Sequence, residues 1–528
     1  MPYVYHPRGE TVVGVDDSLD AARRARDLDW LAGGPRRLVD VLVVGGGVTG
    51  TGVALDAAAR GLSVLLVEAR DLAFGTSRWS SKLVHGGLRY LASGRVGIAY
   101  GCAVERDALL TRTAPHLVHP LPALLPHLPQ VGRWQKAAVH AGFVVGDGLR
   151  AVARTPSSVL PRARRIGPAE VAALVPAIRR TGLRGGLLGW DGQLTDDARL
   201  VVTIARTAAG YGARVLTRCA AERLAGDGAL LRDALTGATC EVGARVVVHA
   251  TGVWSGRLVP EIAVRPSRGT HLVLPAAVFG GLRAQVTVPV RGETARFVIV
   301  LPQRDGRVYV GLTDEPVSGP VPDVPEATEG EVRFLLETLN TVLEVPVRRA
   351  DVLGTFAGLR PLLDVAGGGT ARTADLSREH AVLTSRDGVI SVVGGKLTTY
   401  RRMAQDAVDA AVRTGRVAAG PCVTARLPLV GAAPPAVLAR VEAPRRLVER
   451  YGTRAVEVLA EAVGDPALLA PVAEGLSVTA AELRYAVRHE GALDAEDLLD
   501  RRTRIGLVAA DRVRAEPAAA AALAAAAG

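Results

Sequence analysis

Residues 39–68, VDVLVVGGGVTGTGVALDAAARGLSVLLVE, decide how the fold is read. The apolar run Val41-Leu42-Val43-Val44 enters a glycine turn in which Gly45, Gly47 and Gly50 stand in G-x-G-x-x-G spacing, with Gly46 between the first two. An alanine-rich helical stretch follows. A second apolar run, residues 62–67, then ends on Glu68, 18 residues beyond the last glycine. Strand, glycine turn, helix, strand and terminal acid form the context that a dinucleotide fingerprint requires. Gly45 permits the tight turn, Gly47 lets the backbone approach a pyrophosphate, and Gly50 lets helix and strand pack closely. The helix start offers free N–H groups and partial positive charge to phosphates, and Glu68 can accept hydrogen bonds from a ribose. The alternative is a structural βαβ unit without ligand; the spacing and the acid favour a bound dinucleotide.

Composition narrows the remaining choices. A chain of 528 residues can bury a large core and suggests two to four domains. No apolar run approaches ~18 residues, so no transmembrane helix is expected, and the start MPYVYHPRGE lacks the pattern of a secretory signal. Cys102, Cys219, Cys240 and Cys422 share no metal-type or redox-type spacing, so a reduced cytoplasmic protein without a metal is expected. The formal charge of +11 suits an anionic substrate or membrane surface. Nucleic acid is disfavoured, because aromatics are sparse and no basic tail or recognition module is present. Of 64 basic residues only Lys82, Lys136 and Lys396 are lysines, and two of these lie in glycine-rich motifs. A compact ammonium fits corners that a planar guanidinium cannot.

The stretch from Thr76 to Leu91, TSRWSSKLVHGGLRYL, is too polar and glycine-rich for an ordinary core element. Here the chain resembles the FAD-dependent glycerol-3-phosphate dehydrogenases, the respiratory enzymes that oxidise glycerol 3-phosphate. The resemblance continues through Trp190-Asp191-Gly192-Gln193, Asp196-Asp197-Ala198-Arg199 and Ala250-Thr251-Gly252-Val253-Trp254. It goes on through Arg268-Gly269-Thr270-His271, Gly311-Leu312-Thr313-Asp314 and Gly358-Leu359-Arg360-Pro361. Ser377-Arg378-Glu379-His380 and Gly394-Gly395-Lys396-Leu397-Thr398-Thr399-Tyr400-Arg401 complete the set. Long motifs recur in order over roughly residues 40–510.

The resemblance implies an α/β fold. A Rossmann-like FAD-binding domain would be joined by an α+β substrate domain of the amino-acid-oxidase type and an all-α C-terminal domain. It implies FAD as cofactor and hydride transfer to flavin N5 from sn-glycerol 3-phosphate, giving dihydroxyacetone phosphate. A quinone would accept the electrons. FAD contacts are expected from Gly45, Gly46, Gly47, Gly50 and Glu68, then from Thr76, Ser81, Lys82, His85, Gly86 and Gly87. Further contacts are expected from Thr251, Gly252, Gly395, Lys396, Leu397 and Thr398. Residues 394–399 open a helix whose start can stabilise negative charge on a reduced flavin, and Lys396 can add a full charge on the substrate side. A phosphate-bearing substrate needs guanidinium partners. Arg89, Arg360 and Arg378 are the candidates, with Tyr90 beside a substrate oxygen. His271 is the choice for general base, a role its ordinary pKa suits; His85 is second, and Thr313 and Asp314 organise the pocket.

Along the chain, residues 1–39 read as an N-terminal extension with one helix, 19–31, capped by Ser18. Residues 40–415 read as a discontinuous FAD-binding domain with an interleaved substrate-binding domain. Residues 416–436 form a linker, and 437–528 a helical domain in which Thr479 and Glu482 make a capping box. The terminal AAAAALAAAAG reads as a frayed tail. Between Arg133 and Arg154 the polar residues recur at helical spacing opposite Trp134, Ala138, Ala141, Val145, Leu149 and Val152. Such a basic amphipathic helix either lies on an anionic bilayer, peripheral to the inner face of the plasma membrane, or packs on the core. The sequence leaves both open, and a homodimer is compatible with either. Alternatives to the dehydrogenase are an oxidase using oxygen, a flavin oxidase of hydroxy acids or amines, and a flavin-binding protein without turnover.

Overall fold

A computed structural model describes residues 3–5, 11–13, 16–34, 36–87, 96–129, 131–293, 296–364 and 379–527. Two large sheets dominate. The eight-stranded sheet runs in the order Cys219–Ala225, Gly228–Asp233, Thr239–His249, Arg37–Val44, Val64–Val67, Arg214–Leu216. Ile390–Gly394 also pairs with Thr239–His249 and carries His380–Thr384 on its other side. The four pairings at its centre are parallel, and the central strands are apolar on both faces, as parallel strands covered on both sides must be. Helices Val48–Ala59, Asp197–Gly210 and Tyr400–Arg413 bury Val53, Leu55, Ile204, Met403 and Ala407 on one face. The other face is closed by Leu31, Val259 and Ile262, with Leu28 and Trp30 packed beside them.

The ten-stranded sheet contains Val118–Pro126, Gly186–Leu194, Gln285–Pro289, Phe297–Pro302, Arg307–Gly311, Val264–Pro275 and Gly354–Leu363, with shorter strands at its edges. Helix Glu329–Asn340 packs against it through Val332, Leu335 and Leu339. Strands from residues 83 to 363 thus enter this sheet, while segments before, within and after that interval build the first sheet.

Several expectations are corrected. The first long helix is Ala21–Ala32, and Asp20 caps it by accepting the Arg23 N–H at 2.6 Å. Ser18 instead places its hydroxyl 2.9 Å from His489 Nδ1. Residues 1–39 are not merely an extension, since strand Arg37–Val44 begins inside them. The alanine-rich tail is the end of helix Ala509–Ala527, with Ala515, Ala519 and Ala522 buried against Leu483 and Ala486. Alanine is the strongest helix former, and its small side chain permits close helix contact. The Thr479–Glu482 capping box is present at the start of Ala480–His489. Segment Arg133–Val152 is one helix despite its glycines. Its faces sort differently from the expectation, however: Arg150 is buried and donates to the Thr155 carbonyl, while Val144, Val145 and Val152 are exposed.

Candidate functional site

The glycine turn has the geometry its spacing implies. Gly45 adopts φ +113°, a conformation that excludes side chains, and a Cβ there would lie 2.6 Å from the Ala250 carbonyl oxygen. A Cβ on Gly50 would lie 1.9 Å from the Gly45 oxygen. Helix Val48–Ala59 starts at Gly47 with no side-chain cap on that residue. Ser77 Oγ accepts the first helical N–H, from Val48, at 2.9 Å. Glu68 is held by backbone donors, with Gly46 N–H at 2.6 Å and Arg70 N–H at 2.8 Å. Burial pushes its carboxyl up in pKa against these two bonds. Strand exits converge on the turn: Ala250 N–H donates to Val44 O at 2.8 Å, and Thr251 and Gly252 (φ +60°) follow directly. His249 is buried between Ser391 Oγ at 3.0 Å and Thr251 Oγ1 at 2.6 Å, linking this exit to the strand before Gly394.

Strand register assembles the second half of the site. His271, on Val264–Pro275, lies opposite Gly311 on one side and Phe356 on the other. Cross-strand neighbours of this kind bring side chains into contact. The imidazole stacks on the Phe356 ring at 4.6 Å and 8°. Gly311 supplies its space, since a Cβ there would be 2.2 Å from His271 Cδ2. His271 Nε2 is 2.8 Å from Ser81 Oγ. Burial, then Lys82 and Arg360, hold the imidazole well below its ordinary pKa, so it is neutral at physiological pH. Ser267 and Arg360 face each other in the same register. Arg360 donates to Ser267 Oγ at 3.2 Å, to Asp314 at 3.3 Å and to the Thr313 carbonyl at 3.2 Å. Asp314 therefore shares this cation with any bound anion. Glu331 organises the wall behind it, accepting from Arg268, Thr270 and Thr313 at 2.9, 3.1 and 2.8 Å.

The expectation for Lys82 needs correction. Its ammonium is buried and directs three bonds to Asp197, the Arg78 carbonyl and the Ser80 carbonyl at 3.0, 3.1 and 3.0 Å. All three donors are used, so the side chain is not available to a cofactor. It lies instead behind the candidate base, with Nζ 4.7 Å from the centre of the Phe356 ring. Thr76 Oγ1 donates to Leu359 O at 2.6 Å. Gly86 N–H donates to Asp191, which Arg106 also binds, and a Cβ on Gly86 would meet the Arg106 guanidinium. His85 Nδ1 accepts the Gly87 N–H at 3.2 Å. Gly394 and Gly395 both take φ +78°, and Lys396 reaches Cys102 Sγ at 3.7 Å. Leu397 and Thr398 open the short turn Leu397–Thr399 that leads into Tyr400–Arg413. Arg89, Tyr90 and Arg378 lie outside the described residues.

Ser77, Asp191, His249 and Ser391 were not legible as site residues, because each has a partner supplied by a segment distant in the chain. The turn, the helix start that follows it and the glycine positions that a side chain would fill suit a dinucleotide such as FAD.

Comparison with known proteins bears on this arrangement. The chain matches the family described as FAD dependent oxidoreductase over residues 40–401, and the C-terminal domain of alpha-glycerophosphate oxidase over residues 422–528. It is 54% identical over 501 residues to glycerol-3-phosphate dehydrogenase 1 of Mycobacterium tuberculosis, covering 94% of this chain and 96% of that protein. A mitochondrial glycerol-3-phosphate dehydrogenase of Arabidopsis thaliana is 35% identical over 538 residues, covering 93% of this chain and 83% of the relative. Among solved structures, the glycerol-3-phosphate dehydrogenase of Bacillus halodurans complexed with FAD superposes with a TM-score of 0.73 at 27% identity. That match covers 96% of this chain and 94% of the other.

Proposed function

This chain belongs to the FAD-dependent glycerol-3-phosphate dehydrogenase family, and from that premise we propose that it oxidises sn-glycerol 3-phosphate to dihydroxyacetone phosphate and passes the electrons to a quinone. The observation that carries the site assignment is that two paired strands bear a buried neutral imidazole, His271, and a guanidinium, Arg360.

FAD, when bound, supplies the two-electron acceptor for the hydride of the secondary alcohol. Gly45, Gly47, Glu68 and the start of Val48–Ala59 would hold its dinucleotide end, and residues 394–398 its flavin end. His271 takes a proton at Nε2 through the Ser81 hydroxyl that occupies this nitrogen: Ser81 gives its own proton to Nε2 as it receives the substrate's. Arg360, kept in place by Thr313 and Asp314, orients the phosphate. Lys396 follows Gly394 and Gly395 at the proposed flavin end, where a cation would stabilise a developing alkoxide.

A quinone acceptor requires access to the bilayer. Support comes from helices Val96–Ala108 and Arg133–Val152, which pack on one another yet leave Val96, Tyr100, Val144, Val145 and Val152 exposed. Lys136, His140 and Arg154 lie along the same helix and just past its end, a combination suited to an anionic membrane surface. Among the described residues no helix is long and apolar enough to cross a membrane.

The test is anaerobic. Flavin-loaded protein is mixed with sn-glycerol 3-phosphate, with glycerol, and with the Arg360→Ala variant in parallel. Rapid bleaching of the oxidised band by the phosphorylated substrate alone, slowed in the variant, is expected. An unchanged spectrum would overturn the substrate assignment. Peroxide formed in air at the same rate with and without a quinone analogue would replace quinone by oxygen.

A further inference from the structure

Asp71 is completely buried, three residues beyond Glu68. Its carboxylate accepts Arg501 Nε at 2.7 Å and Arg502 NH1 and NH2 at 2.8 and 2.9 Å. The two arginines lie some 430 residues away, in the C-terminal segment Asp497–Arg502, with side chains 1% and 0% exposed. They are themselves fixed. Arg501 donates to Asp497 at 2.5 Å, and Arg502 donates through Nε and NH2 to the Glu490 carbonyl at 3.1 and 2.9 Å.

A second link runs in parallel. Arg218 gives its backbone N–H to Arg70 O at 2.8 Å, and its side chain to Asp497 at 2.9 Å. Cys219 N–H donates to Glu68 O at 2.8 Å. The far side of the same loop touches the glycine turn. Ala73 N–H donates to Gly46 O at 3.0 Å, and Ser77 Oγ accepts from Val48 at the helix start. Phe74 N–H closes onto Asp71 O, and the Phe74 ring has the Arg501 guanidinium 5.6 Å from its centre. Beyond Arg504 the segment continues as Leu507 and Val508, which pack with Phe356 behind His271. A Cβ on Gly354 would lie 2.3 Å from Leu507 O.

Burying four charges costs desolvation that their attraction barely offsets, so such clusters are weak sources of stability. What they impose is geometry, because each partner left alone becomes an unpaired buried charge. Among the described residues, the loop 68–77 joins this cluster to the dinucleotide turn. The geometry points to residues 497–508 as a positioning element for the cofactor. Asp71, Arg501 and Arg502 hold the loop 68–77 so that Glu68, Ala73 and Ser77 present the glycine turn in its binding conformation. The C-terminal helical region is thereby a built-in wall of the cofactor site. The inference rests on the glycine turn being the FAD site.

The test measures FAD affinity of the full chain without substrate. Apo protein is titrated with FAD, followed by flavin fluorescence, for wild type, Asp71→Asn, Arg501→Met and Glu482→Gln. Glu482 is an equally buried acid bound by Arg446, Tyr451 and Thr479, all within the C-terminal region, so its variant reports general destabilisation. Asp71→Asn is expected to weaken FAD binding about tenfold or more, the scale of one lost charge-assisted bond. Arg501→Met, which leaves the Arg502 pair intact, should give a smaller loss and keeps the test usable if Asp71→Asn does not fold. Glu482→Gln should leave the dissociation constant within about twofold, although it too melts earlier. FAD affinity unchanged in Arg501→Met and Asp71→Asn would overturn the inference, as would an equal loss in Glu482→Gln. A wild-type chain that takes up no FAD would overturn the site reading and this inference with it.

Discussion

Replacing Gly45 by alanine tests the dinucleotide turn against a control at Gly61, just beyond the far end of the helix that the turn leads into. Gly45 has φ +113° and Gly61 has φ +86°, so alanine is strained at both positions, at a cost of roughly 1–2 kcal/mol. The surroundings differ. A Cβ on Gly61 meets nothing within 4 Å, whereas on Gly45 it would sit 2.6 Å from Ala250 O and 2.9 Å from its carbon. To restore contact distance, the turn and the Ala250–Thr251 exit must separate by about 0.5 Å, an overpacking that costs a further ~1–3 kcal/mol. Those two segments flank the cofactor, so the second cost falls on binding while the first falls on folding. Gly45→Ala should therefore lose FAD affinity by about 10–100-fold, the equivalent of that clash. Gly61→Ala should lower unfolding stability and bind FAD like the wild type. Both are read from fluorescence titration of apo protein and urea unfolding. Equal FAD affinity in the two variants would refute the reasoning, because the conformational strain would then account for everything and the clash for nothing.

His271→Ala should lower turnover by about 10²-fold or more with FAD retained, the usual size of a general-base contribution. Because burial, Lys82 and Arg360 hold His271 well below 6.5, wild-type turnover should stay level as pH falls through 6.5 and decline only lower. Near-normal turnover in the variant, or an acid limb centred at 6.5, would remove His271 from the proposed mechanism. A second pH effect concerns folding. Burial pushes His249 down to about 4, so below pH ~6.5 the unfolded chain binds a proton that the folded chain refuses. The stability is complete above 6.5 and is lost as pH falls toward 4. Between pH 7 and 5.5 the wild type should lose about 1 kcal/mol more than His249→Asn in urea unfolding; parallel losses would contradict a neutral buried His249.

Local features were legible because their causes are local. The turn at residues 45–50, the strands around it and the capping box at Thr479 depend on residues within a few positions of one another. Where several local readings compete, local signals fail. Ser18 and Asp20 are both plausible caps, and the choice went to Asp20 because Ser18 pairs with His489. The alanine tail looked unstructured in isolation and became a packed helix because Leu483 and Ala486 cover it.

By itself the sequence determined a βαβ dinucleotide turn and, through motifs spread along the chain, the identity of the residues gathered near it. Tertiary structure alone decided what those residues do. Strand register put Phe356 and Gly311 against His271 and Ser267 against Arg360. Crossing segments gave Lys82 to Asp197 rather than to a cofactor, and chain closure brought Arg501 and Arg502 onto Asp71. The physical reason is range. Backbone conformation is set by near neighbours, whereas the ionisation, orientation and availability of a buried side chain are set by the atoms that exclude water from it, which here belong to segments remote in sequence.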